Sequence, residues 1–267
     1  MADSDSKTSP GTSTSRAGCA RSGLLALGGV FIVVYMVLRI WTGGSDDGDD
    51  HRPDNTVTTE PHVTTTLAVE QDAVAPTCPD EDGSSPRTLR FTDVPPLCID
   101  PEATYVAIVK TNRGDFEITL DPAHARKGVN SFVFLARYHY FDGIAFTRVL
   151  RDYLAQTGDP VRGDVAGGGD AGYLLPEEPP KERPFYGEGS VALANQSPTQ
   201  NSTGSEFFVI TGSGPQVDQL PPLYTRIGTI TAGQNVIDAI DATARPNDDI
   251  GAPTELTVIE SIEIEQH

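Results

Sequence analysis

Arg148 and Gln156 are the residues of this sequence whose types and spacing point most directly to chemistry. Both stand in "FTRVLRDYLAQTGDP", residues 146–160. Phe146, Arg148 and Leu150 share one face of an extended chain by period-2 spacing, with Thr147 and Val149 on the other. A guanidinium with apolar neighbours on its own face belongs at a sheet's rim or in a cleft, because an unpaired buried charge is costly. The stretch can pair with itself. With the turn centred on Asp152, Leu150 faces Leu154 and Arg148 faces Gln156, and such opposed side chains have Cβ atoms about 4.5–5.5 Å apart. The Gln156 amide oxygen can then accept a guanidinium N–H and hold the fork in one orientation. Tyr153 and Leu154 add apolar wall at the same end.

One fixed cation beside a hydrophobic patch excludes most covalent chemistry. The sequence has no Gly-x-Ser-x-Gly elbow, no Cys–His arrangement and no pair of closely spaced carboxylates. Its 5 histidines are scattered and no Cys/His spacing fits zinc, so neither metal nor cofactor is expected. Rotation about a prolyl peptide bond needs only a pocket and a donor. Its barrier, roughly 18–20 kcal/mol, reflects amide resonance. A donor that binds the twisted amide better than the planar one lowers that barrier.

The elements that must position these residues begin near Cys98. Residues 104–111 and 114–120 alternate and are rich in β-branched residues around the turn at Asn112 and Arg113, which predicts a hairpin. A helix is expected over 121–140, with Asp121 as N-cap and Pro122 at its first position. Val129, Phe132, Val133 and Ala136 form its apolar stripe. Gly128, unfavourable inside a helix, finds no reason in the pattern. Further strands are expected over 189–195, 206–211, 224–230 and 255–264, and a helix over 233–242. Many short strands with two helices suggest a closed β-barrel with helices over its ends. The glycine-rich loop at 163–173 lacks the Lys-Ser/Thr and the preceding strand of a phosphate loop.

"FTRVLRDYLAQTGDP", "GSVALAN", "NSTGSEFFVIT" and "YTRIGTITAGQNVIDAI", with the helix "VNSFVFLARYHYFDG", together resemble the ordered blocks of a cyclophilin-type peptidyl-prolyl isomerase, of a membrane-anchored bacterial type. The resemblance runs from about residue 104 to 265. It implies a closed eight-stranded antiparallel barrel capped by two helices, with Arg148 as the catalytic arginine and Gln156 as the glutamine that orients it. It also implies that Tyr153, Leu154, Phe208 and Leu220 wall the proline pocket, and that Ala194 and Asn195 hold the residue preceding proline. Five positions depart from the usual pattern: Thr147 and Tyr224 stand where histidine is common, Tyr153 replaces phenylalanine, Glu206 replaces a pocket glutamine, and Gln219 falls where tryptophan is frequent. Glu206 and Tyr224 thereby join the substrate-contacting set, and Glu206 brings a charge that suits substrates with Lys or Arg near the proline. The implied activity is isomerisation of X-Pro bonds in proline-containing polypeptides. A catalytically weak binding module for the same segments is the alternative.

Upstream, residues 1–22 lack any apolar period and read as a disordered tail. Residues 23–41 supply an apolar run long enough for a bilayer, which needs roughly 20 residues, and longer than a signal peptide's core. Arg16 and Arg21 precede it and "SDDGDD" follows, so the tail is expected in the cytoplasm and the bulk of the chain outside a cell membrane crossed once. Residues 42–76 read as an acidic, Thr-rich disordered stalk, 77–103 as an extension and 104–267 as the barrel domain. Of the 3 cysteines, Cys19 falls on the cytoplasmic side, whereas Cys78 and Cys98 fall outside, where a disulfide persists. A net charge of -19 without a basic stripe excludes nucleic acid as a partner.

Overall fold

The computed structural model describes residues 72–160, 171–196, 201–246, 248 and 250–267. The expected tail and apolar span, Cys19, the stalk up to residue 71 and residues 163–170 of the glycine-rich loop lie outside the described residues. Among the described residues, no helix is long and apolar enough to cross a membrane.

The predicted hairpin forms as β1 (Tyr105–Thr111) and β2 (Gly114–Leu120), closed by Asn112 and Arg113 with Thr111 opposite Gly114. Helix α1 (Arg126–Arg137) follows. It starts later than Asp121 and Pro122 suggest, and Ala125 at its N-cap makes no side-chain cap. Asp121 instead closes a local turn, its carboxylate accepting from the His124 backbone. The first-turn N–H groups of Lys127 and Gly128 donate to Glu178 from a distant loop, a cap that local pattern cannot reveal. Gly128 has its reason in packing. A Cβ there would lie 2.6 Å from Thr225 Cγ2 and 3.1 Å from Ile227 Cγ2, so only glycine lets α1 approach the sheet so closely.

The remaining elements are β3 (Ala145–Phe146), β4 (Arg148–Leu150), β5 (Leu154–Thr157), β6 (Ser190–Asn195), β7 (Thr203–Ile210), α2 (Pro215–Asp218), β8 (Thr225–Ala232), α3 (Gln234–Asp241) and β9 (Thr257–Gln266). They make one nine-stranded antiparallel sheet in the order β3-β9-β1-β2-β8-β6-β7-β5-β4. The expected closed barrel of eight strands is thus a nearly closed barrel of nine. The difference has a local cause: the run beginning at Ala145 is interrupted at Thr147, whose N–H donates to Gln156 while β3 pairs with β9 and β4 with β5. The two ends of the sheet are consecutive pieces of chain. The expectation of two helices also needs a third, α2, because Pro215 starts a single turn inside what the sequence presents as a loop.

Inside the barrel, Phe116, Ile118, Phe132, Phe141, Phe207 and Val209 belong to one continuous core. The segment before β1 joins it. Val74 bridges Phe91, and the Phe91 ring lies 4.7 Å from Phe134 and 5.1 Å from Tyr138. Cys78 and Cys98 form the expected disulfide, with Cα atoms 5.3 Å apart. Asn130 of α1 fastens the same segment, accepting from Cys98 N–H and donating to the Pro96 carbonyl.

Candidate active site

A second, smaller apolar cluster lies on the other face of the sheet: Leu154, Tyr186, Ala192, Phe208, Ile210, Val217 and Leu220, flanked by the partly buried Leu150, Tyr153, Phe185, Ala194 and Tyr224. Period 2 explains the division. On β7, Phe207 and Val209 enter the core while Phe208 and Ile210 enter this cluster, and on β5 Ala155 and Leu154 divide the same way. Phe208 meets the edge of Tyr224 at 5.2 Å, in contrast to Phe207, which meets Phe132 at 5.4 Å inside.

The hairpin that carries Arg148 has the predicted register, Arg148 opposite Gln156 and Leu150 opposite Leu154. Asp152 sits at the turn with φ 55°. Asp241 of α3 pins that turn, accepting from Asp152 N–H at 2.9 Å, Thr211 Oγ1 at 2.7 Å and Arg151 Nη1 at 3.4 Å. Gln156 also pairs with Phe208 on its other side, which brings the amide, the arginine and the apolar wall onto one face.

Arg148 is half-buried, and among the described residues its guanidinium makes no hydrogen bond or ion pair. The expected bond from Arg148 to Gln156 is not formed. Gln156 Nε2 donates instead to Glu206 Oε2 at 2.6 Å, a carboxylate being the strongest acceptor nearby. The amide oxygen is the end left over. Burial pulls the Arg148 guanidinium below its usual range, while Tyr153, Tyr224 and Glu206 hold it up. An arginine remains a cation under such a shift. Burial likewise raises the Tyr153 and Tyr224 hydroxyls, and pushes Tyr186 up to about 12. These phenols stay neutral, so the wall is apolar with polar tips.

Ala194 and Asn195 end β6 where its register with β7 shifts, and neither ladder includes Ala194. Asn195 Nδ2 donates to the Leu223 carbonyl, tying this corner to the loop before β8. Leu220 is buried in the cluster and Gln219, one residue earlier, is exposed at its rim. The residues assigned to chemistry or substrate contact therefore all lie on the β4–β8 side of the sheet, while the disulfide pair stands with the segment packed on α1.

Two contributions have no signal in the sequence. Tyr186 and Phe185 come from an irregular loop without periodicity, yet Tyr186 donates to the Tyr224 carbonyl and accepts its own bond from Tyr224 N–H. Gly251 lies against Arg148. Its φ is +86°, its carbonyl accepts from Val149 N–H at 2.7 Å, and a Cβ there would stand 2.9 Å from Arg148 Cγ and 3.0 Å from Leu150 Cδ2. The arginine's stem is thus clamped by a loop whose backbone runs beside β4. Among the described residues, no cluster of His, Cys, Asp and Glu could hold a metal ion.

An apolar patch beside a clamped cation that is unpartnered among the described residues suits a chemistry of binding and twisting. Known proteins agree. The family profile described as "Cyclophilin type peptidyl-prolyl cis-trans isomerase/CLD" matches residues 105–264. Peptidyl-prolyl cis-trans isomerase A of Mycobacterium tuberculosis is 35% identical over 179 residues, which cover 61% of this chain and 94% of that protein. Peptidyl-prolyl cis-trans isomerase B of Streptomyces anulatus is 37% identical over 177 residues, 60% and 95% of the two chains. A crystal structure of a Cryptosporidium parvum cyclophilin-type isomerase superposes with a TM-score of 0.54 over 61% of this chain and 99% of its own, at 24% identity, a likeness of fold. The arrangement of its residues and the relatives that it spans nearly end to end lead to one family: this chain belongs to the cyclophilin-type peptidyl-prolyl cis-trans isomerases.

Proposed function

We propose that the chain is a membrane-anchored bacterial prolyl isomerase acting on X-Pro bonds of proteins outside the cytoplasm, with Arg148 as its catalytic residue. The observation that carries the site assignment is the Arg148 guanidinium, clamped at its stem and unbonded at its head. The proline ring enters the cluster of Leu154, Phe208 and Leu220, walled by Tyr153 and Tyr224. The residue before it lies along the end of β6 at Ala194 and Asn195. As the X-Pro bond twists, its nitrogen regains a lone pair and its carbonyl gains ketone character. An N–H of Arg148 donated to the twisted amide binds that state more strongly than the planar one. No proton moves and no covalent bond forms or breaks. Gln156, its Nε2 engaged by Glu206, offers its oxygen toward the arginine and positions it.

The placement outside a membrane is supported by the apolar run at 23–41 with its flanking charges and by the Cys78–Cys98 bridge, which persists in oxidising compartments. Two measurements test the whole. The purified chain should speed cis/trans exchange of a short X-Pro peptide followed by NMR; absence of catalysis by folded protein would leave only the binding module. In intact cells, protease added outside should cut the chain beyond residue 42, and thiol reagents should label Cys78 and Cys98 only after reduction. Full protection from protease, or labelling without reductant, would refute the placement.

A further inference from the structure

One row of side chains crosses the outer face of the sheet from strand to strand. Arg226 stands opposite Ala192, Ala192 opposite Phe208, Phe208 opposite Gln156 and Gln156 opposite Arg148. Directly opposed side chains of paired strands share a face, so the row carries an arginine at each end. Four strand spacings of about 4.8 Å separate those ends, roughly 19 Å. Arg148 meets the X-Pro bond under the proposed function, whereas Arg226 has no part in it. Arg226 Nη1 donates to the Phe185 carbonyl at 3.3 Å. Burial raises the Tyr186 hydroxyl and the Arg226 charge pulls it partly back, so this cation lies close to the pocket wall. Arg183 stacks on the ring of the same Phe185, its Cζ 4.5 Å from the centroid, and Lys181 is exposed two residues earlier. Glu182 and Glu188 stand on this loop, yet among the described residues neither arginine makes an ion pair. Two guanidinium groups held on one residue without a counter-ion repel each other, and a carboxylate arriving between them relieves that repulsion.

We propose that Arg183 and Arg226, gathered on Phe185 at the β8 side of the outer face, are a docking surface for acidic client polypeptides, taking Asp or Glu side chains carried about three to six residues from the proline. The inference rests on the assignment of the outer cluster and Arg148 to the X-Pro bond, which sets where the client crosses the sheet. An extended chain advances about 3.3 Å per residue, so a segment of this length bridges the row, and the reach of both side chains shortens the span. The two guanidinium heads are already oriented, one by a ring and one by a carbonyl, so pairing immobilises little that is free. Lipid surfaces are held by clusters of about four to eight basic residues, more than this loop and strand supply. In a chain of net charge -19, an anionic membrane is also repelled by the rest of the protein. A polypeptide already seated in the neighbouring pocket needs only one or two pairs to be held more tightly.

The test uses the full chain and X-Pro peptides of one length that carry a Glu, Gln or Lys block, placed either before or after the proline. Dissociation constants come from NMR titration, and exchange rates are measured on the same samples. On one side of the proline, the Glu block should bind at least about fivefold more tightly than the Gln block, with the Lys block weakest. The preference should shrink as salt approaches ~1 M. Arg183→Gln and Arg226→Gln together should erase the Glu-to-Gln ratio, and Arg183→Glu, at an exposed position, should turn it toward Lys. Lys110→Gln, which removes a positive charge on β1, should leave the ratio as it is. Equal binding of the Glu and Gln blocks, or a Glu preference that survives loss of both arginines, would overturn the docking surface. So would capture of phosphatidylserine-containing vesicles through these arginines with no preference among the peptides. Exchange of the Gln-block peptide reads the isomerase assignment by itself: catalysis without a Glu preference rejects the docking surface alone, and a Glu preference without catalysis rejects the isomerase assignment alone.

Discussion

The two faces of β5, β6 and β7 are built from neighbouring residues and do different work. Phe207, Val209, Val191, Leu193 and Ala155 point into a core closed by α1, where each ring has rings or aliphatic groups on every side. Phe208, Ile210, Ala192 and Leu154 point the other way into a smaller cluster that ends in tyrosine hydroxyls, an amide, a carboxylate and a guanidinium. The inner face is satisfied by the protein itself. The outer face is apolar enough to bind and, among the described residues, leaves the Arg148 guanidinium without a partner. In such a sheet, stability and the proposed catalysis are separated by a single residue step along the strand, because successive side chains point to opposite faces.

Exchanging one member of each face gives the largest contrast. Phe207→Ala should lose about 3–5 kcal/mol of stability, the usual loss for a fully buried phenylalanine. Phe208 is buried too, but in the smaller cluster with partly buried residues at its edge, so Phe208→Ala should destabilise less, while raising KM for X-Pro peptides roughly tenfold or more. Denaturant unfolding and peptide exchange on both variants decide it. Equal stability losses with unchanged KM for Phe208→Ala would mean that the outer cluster is a second core.

Arg148→Ala sharpens the comparison within the outer face. The substitution takes away a donor with no partner in the free protein, so stability should barely change. Catalysis should fall at least tenfold in kcat/KM, roughly 1.4 kcal/mol of transition-state stabilisation. Unchanged exchange by a folded Arg148→Ala protein would move the chemistry elsewhere.

The outer face is largely legible in the sequence, and the reason is local. Arg148, Leu150, Leu154 and Gln156 belong to one hairpin, whose register follows from alternation and turn position alone. What is not legible depends on contacts between distant segments. Glu178 capping α1, Tyr186 behind Tyr224 and Phe91 filling the core all sit in segments whose own pattern is irregular or polar, and Asp241, at the end of the expected helix α3, holds a turn at Asp152 that is distant in sequence. The barrel's strand count departs from expectation for a related cause, a one-residue interruption at Thr147 that leaves the alternation intact. The exchange of partners at Gln156 is hidden too, since it depends on Glu206 reaching across from β7.

A smaller effect tests whether the loop clamp belongs to the outer face's function. Gly251→Ala places a methyl group against Arg148 Cγ at a positive φ, so it should displace the arginine's stem and lower kcat by about three- to tenfold. Gly143 is the control, with φ +80° and nothing within 4 Å of a built Cβ. Both substitutions carry the same left-handed strain, about 1 kcal/mol, but only Gly251→Ala should slow exchange. Equal rates in the two variants would make the clamp merely structural.

The smallest expected effect concerns the charge that the outer face keeps. Burial raises the Glu206 carboxyl above its ordinary range; the Gln156 N–H and Arg148 pull it back only in part, and Asp159 adds to the rise. The folded state therefore holds the Glu206 proton more tightly than the unfolded chain does. The resulting stability is fully present below the unfolded carboxyl's pKa and is lost as pH rises through the higher folded value. At neutral pH the ionised group is a net liability that Glu206→Gln removes while keeping size and hydrogen-bonding capacity. Every other titrating group is common to both proteins and cancels in their difference. Glu206→Gln should accordingly unfold at a higher Tm than the parent near neutral pH, by a margin that closes as pH falls toward ~4. A margin that stays constant, or widens in acid, would mean that Arg148 and Gln156 stabilise the carboxylate more than burial penalises it. The outer face would then hold Glu206 as a satisfied ion, and the contrast with the inner face would rest on Arg148 alone.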